Sequence, residues 1–209
     1  MTRIKKEPEE RRNELIEIAE ALFIEKGYDY ATIEEIIKRA EIAKGTFYYY
    51  FKSKSNILDA VLDQYIEEVD EFMKDIAVKE GMGAVEKMLE VFTFFREYRN
   101  NKSTFINYIH QERNAHIHVK VEKKFVPVFV YPFAKIVRQG VQQGLFNTKY
   151  PTEAALAILV SSIQFGNTHG SYVDLRDKKR KSEAALDIME RILGADPGLF
   201  LNSYRGVKK

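Results

Sequence analysis

Apolar side chains recur at steps of three and four residues through most of this chain, and that spacing limits the fold more than any other feature. Near the start the pattern is carried by Leu15, Ile18, Ala19, Leu22 and Phe23. A period of 3.6 residues places such side chains on one face of a helix. The sequence contains no alternating run bounded by hairpin turns, so we predict an all-α protein.

Two short helices joined by a brief turn follow the first helix, which we expect to end near Gly27. The segment Thr32-Ile33-Glu34-Glu35 predicts a capping box that opens a helix lasting to about Arg39. Residues 40–43 form the turn, and the second short helix comes next. This order is the helix-turn-helix layout, whose second helix enters the major groove of DNA.

The second short helix belongs to the stretch Lys44-Gly45-Thr46-Phe47-Tyr48-Tyr49-Tyr50-Phe51-Lys52-Ser53-Lys54. It combines three lysines with three phenol groups, and no carboxylate occurs from residue 42 to residue 54. Lysine charge and hydroxyl donors are what binding to a phosphate backbone requires. The alternative is a core helix rich in Tyr and Phe that lies beside solvated lysines.

Composition excludes several classes of protein. The 209 residues include no cysteine, so disulfides, thiol catalysis and cysteine-bound metal are excluded. The start of the chain has no apolar signal-peptide core, and no apolar run approaches about 18 residues, so we expect a cytoplasmic protein without a membrane span. The net charge is only +2, and residues 1–54 carry 11 basic and 11 acidic side chains. Any contact with nucleic acid must therefore come from a local face.

We place a domain boundary near residue 54, which gives a head at 1–54 and a second helical domain at 55–209. Ser53 can cap a long helix that continues to about Ala77. Helical spacing then returns at 85–98, 105–109, 115–143, 154–172 and 182–193. Because proline removes an amide donor and clashes one turn back, we expect a kink or break near Val126, with Pro127 beginning a new segment.

The head resembles the DNA-binding domain of the TetR/AcrR family of bacterial regulators. The resemblance covers residues 16–62 and rests on order, spacing and residue class: Ala21-Leu22-Phe23, Glu25-Lys26-Gly27-Tyr28, Thr32-Ile33, Ile36, Ala40 and Gly45 through Lys54. It implies an all-helical homodimer of about nine helices that needs no cofactor. Three helices would form the head, and the last two would supply most of a four-helix dimer interface.

The resemblance also assigns roles within the head by position. Thr32, Lys44, Thr46, Tyr48 and Lys54 would hold phosphates of double-stranded DNA, with Lys52 as a further backbone candidate. Gly45, Tyr49 and Tyr50 would lie nearest the bases. Arg3, Lys5 and Lys6 would form an arm that reaches along the duplex.

Three residues depart from the family pattern. Ile37 stands where the family has a small residue, Glu41 where it has glycine and Ala43 where it has serine. A left-handed conformation at Glu41 costs roughly 1–2 kcal/mol, and the absence of a side-chain cap at Ala43 costs about 1 kcal/mol more. We expect these residues to affect the stability of the head and the placement of the recognition helix.

Aromatic residues are dense in the middle of the chain, and we interpret them as the wall of an apolar cavity for a small lipophilic or aromatic effector. An ordinary aromatic core would show the same periodicity. The candidate effector-binding residues are Phe92, Phe95, Tyr98, Phe105, Tyr108, Phe129, Phe133 and Gln164. Asn167 and His169 could add polar contacts from the same helix as Gln164.

A metal site is the weaker hypothesis for this region. Glu112 and His116 would share a helix face, but His118 would point about 200° away from His116 on a regular helix. Without cysteine or further clustered carboxylates we predict no metal, and we expect these histidines to face solvent.

Small and branched apolar stripes near the end of the chain suit a dimer interface. Burial within one subunit is the alternative. The residues are Ala154, Ala155, Ile158, Ser161, Ser162, Phe165, Leu186, Met189, Ile192 and Leu193.

The sequence thus predicts a ligand-responsive repressor that binds a palindromic operator as a homodimer. Two other functions stay open. One is an enzyme that acts on an apolar ligand, although no catalytic motif is present. The other is a DNA-binding protein that is indifferent to sequence.

Overall fold

The computed structural model describes residues 7–109, 114–166 and 178–207, and within these ranges the chain is helical with no strand. This confirms the all-α prediction. Ten helices occur in the described ranges: α1 (Pro8–Lys26), α2 (Ile33–Arg39), α3 (Lys44–Tyr50), α4 (Lys54–Val78), α5 (Ala84–Asn101), α6 (Ser103–Ile109), α7 (Ala115–Gln142), α8 (Pro151–Gly166), α9 (Lys178–Leu193) and α10 (Leu199–Val207).

Helix ends follow the local sequence. Pro8 occupies the first turn of α1, where its missing amide costs nothing, and Gly27 ends that helix at φ 92°. Ser53 caps α4 as predicted, because its Oγ accepts a hydrogen bond of 3.1 Å from the amide of Asn56. No helix in the described ranges combines the length and the apolar content that crossing a bilayer requires.

The helices form two compact units, each with its own core. The first contains residues 7–68 together with 102–109 and 114–121 of the described chain, so by packing it extends beyond the head predicted at 1–54. Its core includes Phe23, Phe47 and Phe51. The second unit contains residues 69–101 and the described residues from 122 onward. Its core includes Met88, Phe133 and Phe200.

A kink or break was expected near Val126, and α7 instead continues through both Pro127 and Pro132. The expected break, with Pro127 beginning a new segment, was wrong, and the kink stays a prediction. A proline inside a helix loses one hydrogen bond and clashes with the preceding turn. Packing offsets this cost, since Phe129, Val130, Phe133, Ala134, Ile136 and Val137 of the same helix are all buried in the second core.

Helix α10 was not predicted from the sequence, because it follows a segment with two glycines and a proline. Its start is fixed by Glu190, a buried residue of α9. The carboxylate of Glu190 accepts hydrogen bonds from the amides of Gly198 at 2.8 Å and Phe200 at 3.0 Å. The Phe200 side chain is fully buried and stacks on Phe146 with ring centroids 6.1 Å apart. The Glu190 side chain of α9 therefore supplies hydrogen-bond acceptors at the start of α10 that the local sequence lacks.

Hydrogen bonds at one end of the second unit fix the directions of three helices. The amide of Asn147 donates to the carbonyl of Leu193, which brings the end of α9 beside the segment before α8. The amide of Ala84 donates to Oε1 of Gln143, so α5 begins at this same end. Helices α5 and α8 therefore run away from this end, and α9 runs towards it.

Close packing at Gly140 generates a stability prediction. A Cβ atom at this position would lie 2.0 Å from Cδ2 of Phe146, far inside van der Waals contact. We expect Gly140→Ala to lower the free energy of unfolding by about 1–3 kcal/mol, because the buried ring has to move. Urea unfolding measures the loss.

The control for this prediction is a double-mutant cycle with Phe146→Leu, which replaces the obstructing ring. If the two residues clash as described, the loss in Gly140→Ala should be smaller when Leu stands at 146. Additive losses would show that the ring is not the cause.

Candidate functional site

Helix α2 begins with the predicted capping box. Oγ1 of Thr32 accepts a hydrogen bond from the amide of Glu35 at 3.2 Å, and the Glu35 carboxylate accepts one from the Thr32 amide at 3.0 Å. The Glu35 carboxylate also pairs with Lys26. The hydrogen bond from Lys26, followed by those from Thr32, lowers the pKa of Glu35 to about 2, so this carboxylate stays ionised at neutral pH. The Thr32 hydroxyl also donates to Glu35.

The turn between α2 and α3 has the two departures expected from the sequence. Glu41 adopts a left-handed conformation with φ 51°, and Ala43 precedes α3 without a side-chain cap. Both features cost stability. Burial of Ile42 between them ties the turn to the first core.

Helix α3 has one buried face and one exposed face. Phe47 is fully buried, and its ring packs against Phe51 with centroids 6.0 Å apart. On the opposite side Tyr49 is 77% exposed and Tyr48 is 42% exposed. We call Lys44, Gly45, Tyr48, Tyr49 and Lys52 the recognition face, because all five are exposed on or next to this helix.

Two predicted residues of α3 lie beside the recognition face. Thr46 and Tyr50 are half-buried. The Tyr50 ring packs against the first core and meets the Tyr49 ring edge-on, with centroids 4.9 Å apart. Lys44 places its Nζ 3.8 Å from a Glu34 carboxylate oxygen and 6.0 Å from the centre of the Tyr48 ring. An exposed pair of this kind is weak, so a phosphate can compete for the lysine.

Lys54, which was predicted to hold a phosphate, makes hydrogen bonds within the first unit. Its Nζ donates to three backbone carbonyls, those of Tyr28 at 2.8 Å, Asp29 at 3.2 Å and Ala31 at 3.0 Å. An ammonium group has three donors, and all are used here. Lys54 thus fixes the loop before α2, and contact with a phosphate would require it to release a carbonyl.

Gly45 carries information that the sequence alone does not show. A Cβ atom built at this position meets no atom within 4 Å, so nothing inside the protein requires glycine there. Glycine weakens a helix relative to alanine. Its presence on the exposed face is explained if another molecule approaches the backbone closely.

Tyr30 is an exposed aromatic that the sequence analysis did not select. It lies in the loop before Thr32 and is 76% exposed. The signal in the sequence was that Tyr30 is an aromatic residue outside the helical apolar pattern. Its position next to the start of α2 makes it a further candidate for backbone contact.

Two of the predicted effector-binding residues belong to the first unit. The Tyr108 hydroxyl accepts a hydrogen bond of 2.7 Å from the amide of Tyr28. Phe105 stacks on Tyr65 with centroids 4.2 Å apart, and the Tyr65 hydroxyl donates to the Glu20 carboxylate. Both residues therefore attach α6 to the head, and the structure does not group them with the aromatics of the second unit.

The other predicted aromatics gather in the second unit. Phe95 lies 5.7 Å from Phe129, which stacks on Phe133 at 4.9 Å, and Phe92 lies 6.5 Å from Phe133, all between ring centroids. Tyr98 stacks on Phe94 in the same cluster. These rings pack on one another, which agrees with the alternative prediction of an ordinary aromatic core.

A groove of about 410 Å³ lies between α5, α8 and α9 of the second unit. Among the described side chains, Phe92 is the predicted effector residue that lines it. Six residues expected in a dimer interface line it as well: Ile158, Ser161, Ser162, Leu186, Met189 and Ile192. The remaining lining residues are Leu89, Thr93, Arg96, Ser182, Ala185 and Ile188. A volume of this size is typical of a small-molecule site.

Several candidates lie outside the described residues. These are the arm residues Arg3, Lys5 and Lys6, the metal candidate Glu112, and Asn167 and His169. The same holds for the side chains of His116, Gln164 and Phe165, although their backbones belong to α7 and α8. Within the described ranges, no three His, Asp or Glu side chains cluster in a way that could hold a metal ion.

The head matches a sequence profile described as "Bacterial regulatory proteins, tetR family" over residues 15–61. The chain is 35% identical over 77 residues to the Transposon Tn10 TetC protein of Escherichia coli, covering 36% of this chain and 39% of that protein. It is 23% identical over 156 residues to the transcriptional repressor DhaR of Mycobacterium sp. strain GP1, covering 73% and 78%. The chain thus spans about two fifths of the TetC protein and about four fifths of DhaR.

The fold is similar to that of SmeT, described as the repressor of the multidrug efflux pump SmeDEF of Stenotrophomonas maltophilia. The TM-score is 0.70 at 20% identity, and the match covers 90% of this chain and 92% of SmeT. A structure of SmeT in complex with triclosan matches with a TM-score of 0.67 at 20% identity, over 91% of this chain and 94% of that one. The resemblance in fold therefore extends over both units.

Gly45 gives the first prediction for the recognition face. We expect Gly45→Ala to raise the free energy of unfolding by about 0.4–1 kcal/mol, because alanine restricts the unfolded chain and meets no obstacle in the folded one. The same change should weaken binding to duplex DNA, since the methyl group occupies the space left for an approaching backbone or base. Thermal unfolding and gel-shift titration measure the two effects.

Gly83→Ala is the matched control, because a Cβ at Gly83 makes only ordinary contact, 3.5 Å from Glu86. It should leave DNA binding unchanged. Unaltered DNA binding by Gly45→Ala would contradict the close approach.

The two exposed tyrosines should act differently. We expect Tyr48→Phe to weaken binding to every duplex by a similar factor, because it removes a hydroxyl that bonds phosphate. Tyr49→Ala should change the preference among duplexes, because it removes a contact with base edges. Gel-shift titrations at one stated salt concentration measure both effects.

The control is the pair of variants Tyr131→Phe and Tyr131→Ala, at a second-unit tyrosine that is 65% exposed. Neither should affect DNA binding. Identical behaviour of the Tyr48 and Tyr49 variants would refute the assignment.

Proposed function

We propose that this chain binds a palindromic DNA operator as a homodimer and represses transcription there. The basis is that it belongs to the TetR/AcrR family of bacterial transcriptional regulators. A small lipophilic or aromatic effector would release it from the operator. The observation that carries the proposal is the recognition face, with its two exposed tyrosines and open glycine. The chain is a regulator rather than an enzyme, because the relatives DhaR and QacR are described as transcriptional regulators.

Binding to DNA would use the recognition face in two ways. Lys44, Lys52 and the Tyr48 hydroxyl would contact phosphates, and the Thr46 hydroxyl could add a donor at the edge of the face. Gly45 and Tyr49 would lie at the base edges, with Tyr50 behind them. The missing carboxylates between residues 42 and 54 support this arrangement, because no negative charge opposes the phosphates.

A homodimer would present two recognition faces to successive major grooves, about 34 Å apart. Support for a dimer surface comes from α8. Leu156 is 42% exposed and Val160 is 51% exposed, one helical turn apart on the outer side of that helix. Neither residue was among the interface residues predicted from the sequence. Two of those predicted residues, Ala155 and Leu193, are buried within the subunit.

The effector would act on the second unit, and α4 would transmit its binding, because the boundary between the units falls between Glu68 and Val69 within that helix. Helix α6 offers a second route into the head, through the hydrogen bond from the Tyr28 amide to the Tyr108 hydroxyl. SmeT, described as bound to triclosan, shows that a protein of this fold binds a small aromatic molecule. A ligand changes operator affinity only if it favours one arrangement of the heads over another.

The proposal is tested by selecting duplexes from a random pool with the purified protein at a stated salt concentration and then sequencing them. We expect an enriched palindrome whose half-sites are separated by about one helical turn. Gly45→Ala should reduce the enrichment, whereas Gly83→Ala should not.

Two results would contradict the proposal. Equal binding to all duplexes by the folded protein would indicate a DNA-binding protein that is indifferent to sequence. Enrichment of a single half-site without a palindrome would contradict binding as a symmetric dimer.

A further inference from the structure

The groove between α5, α8 and α9 is apolar at one end and polar at the other. On α5 its lining residues form one stripe, with Leu89 and Phe92 followed by Thr93 and Arg96. Helix α5 begins at the end of the unit where Asn147 bonds to Leu193. Leu89 therefore lies nearer that end, and Arg96 lies about 10 Å further along the helix.

The other two helices repeat this gradient. Helix α8 runs in the same direction as α5, so Ile158 comes before Ser161 and Ser162. Helix α9 runs the opposite way, so Ile192 and Met189 lie at the apolar end and Ser182 at the polar end. Ile158 and Met189 are buried, whereas Arg96, Ser162 and Ser182 are exposed. Three helices thus place their polar residues at the same mouth.

Arg96 lies at the polar end of the groove, which we call the mouth. Among the described residues that line the groove, Arg96 carries a charge and no carboxylate does. Arg96 lies 4.0 Å from Glu97, and both side chains are more than half exposed, at 53% and 66%. Such a surface pair contributes little net energy, so a ligand carboxylate can compete with Glu97 for the guanidinium group.

We propose that this groove binds an amphipathic anion, with the apolar body between Leu89, Ile158 and Met189 and the carboxylate at Arg96. The exposed hydroxyl of Ser162 supplies an additional donor. This inference rests on the proposed function, in which the second unit binds an effector, and it specifies the chemical class of that effector. An acyl or arylalkyl carboxylate fits this description, and a cation of the same length does not.

The test uses three ten-carbon probes on the full chain: decanoate, 1-decanol and decylammonium. A ten-carbon chain is chosen to span the distance of about 10 Å that separates Leu89 from Arg96 along α5. Ligand-observed NMR below the aggregation limit of each probe measures the dissociation constants. We expect decanoate to bind at least about tenfold more tightly than decanol, because only the anion gains a charge-assisted bond. Decylammonium should bind most weakly, because the Arg96 guanidinium group repels its positive charge.

Arg96→Gln is the decisive variant, and Arg99→Gln is its matched control because Arg99 is an exposed arginine of α5 outside the groove. Arg96→Gln should remove the preference for decanoate over decanol while leaving decanol binding unchanged. Arg99→Gln should preserve the preference. Equal effects of the two substitutions, or no preference in the unaltered protein, would overturn the proposal.

Ala185→Phe tests the apolar part of the site. Ala185 is a half-buried groove residue, and a phenyl ring there would fill the groove. We expect it to abolish binding of decanoate and decanol alike, with circular dichroism to verify the fold. Undiminished binding in a folded variant would place the ligand elsewhere and overturn the proposal.

Gel-shift titration on a selected operator separates this inference from the proposed function. Binding of decanoate with the expected dependence on Arg96 supports the site even when operator affinity does not change, and then only the effector role fails. Failure to bind decanoate, in a protein that selects a palindrome, overturns the site and leaves the DNA-binding function intact.

Discussion

Burial of Phe47 is the interaction on which the recognition face depends. Helix α3 has seven residues, and a helix of that length is not stable in water by itself. Its start lacks a side-chain cap, and the turn before it holds Glu41 in a left-handed conformation. Tertiary packing must therefore supply the stability that local sequence does not. Phe47 and Phe51 do so from one face, which leaves the opposite face to carry exposed groups.

Cations in the first unit illustrate the same division between structure and recognition. Lys26 pairs with Glu35, Arg39 with Glu25 and Lys120 with Asp59, and Lys54 binds three carbonyls. Much of the positive charge is thus used to hold helices and loops together. Lys44 and Lys52 remain exposed at α3. Binding to arbitrary DNA scales with the number of phosphates neutralised, so a face with few cations favours recognition through shape, base contacts and paired half-sites.

Local signals in the sequence were sufficient to predict where helices begin in the head. The Thr32 capping box and the Ser53 cap could be predicted because each depends on residues within a few positions. The structure differs from the expectations where distant residues decide. Packing carries α7 through Pro127 and Pro132, and the Glu190 carboxylate starts α10. Phe105 and Tyr108 share the periodicity of Phe92 and Phe95, yet they attach to the head, because helical spacing shows that a side chain is buried and not which core buries it.

The same limit explains why the groove could not be found from the sequence. Ile158, Ser161, Leu186 and Met189 show the spacing of a helix contact, which suits a dimer interface, a core or a ligand groove equally well. What distinguishes the groove is the direction of three helices, and this depends on hydrogen bonds such as those from Asn147 to Leu193 and from Ala84 to Gln143. Only with those directions known do Arg96, Ser162 and Ser182 meet at one end. A polar mouth above an apolar floor is therefore a property of the assembled helices, and the chemistry of its ligand follows from tertiary structure rather than from any motif.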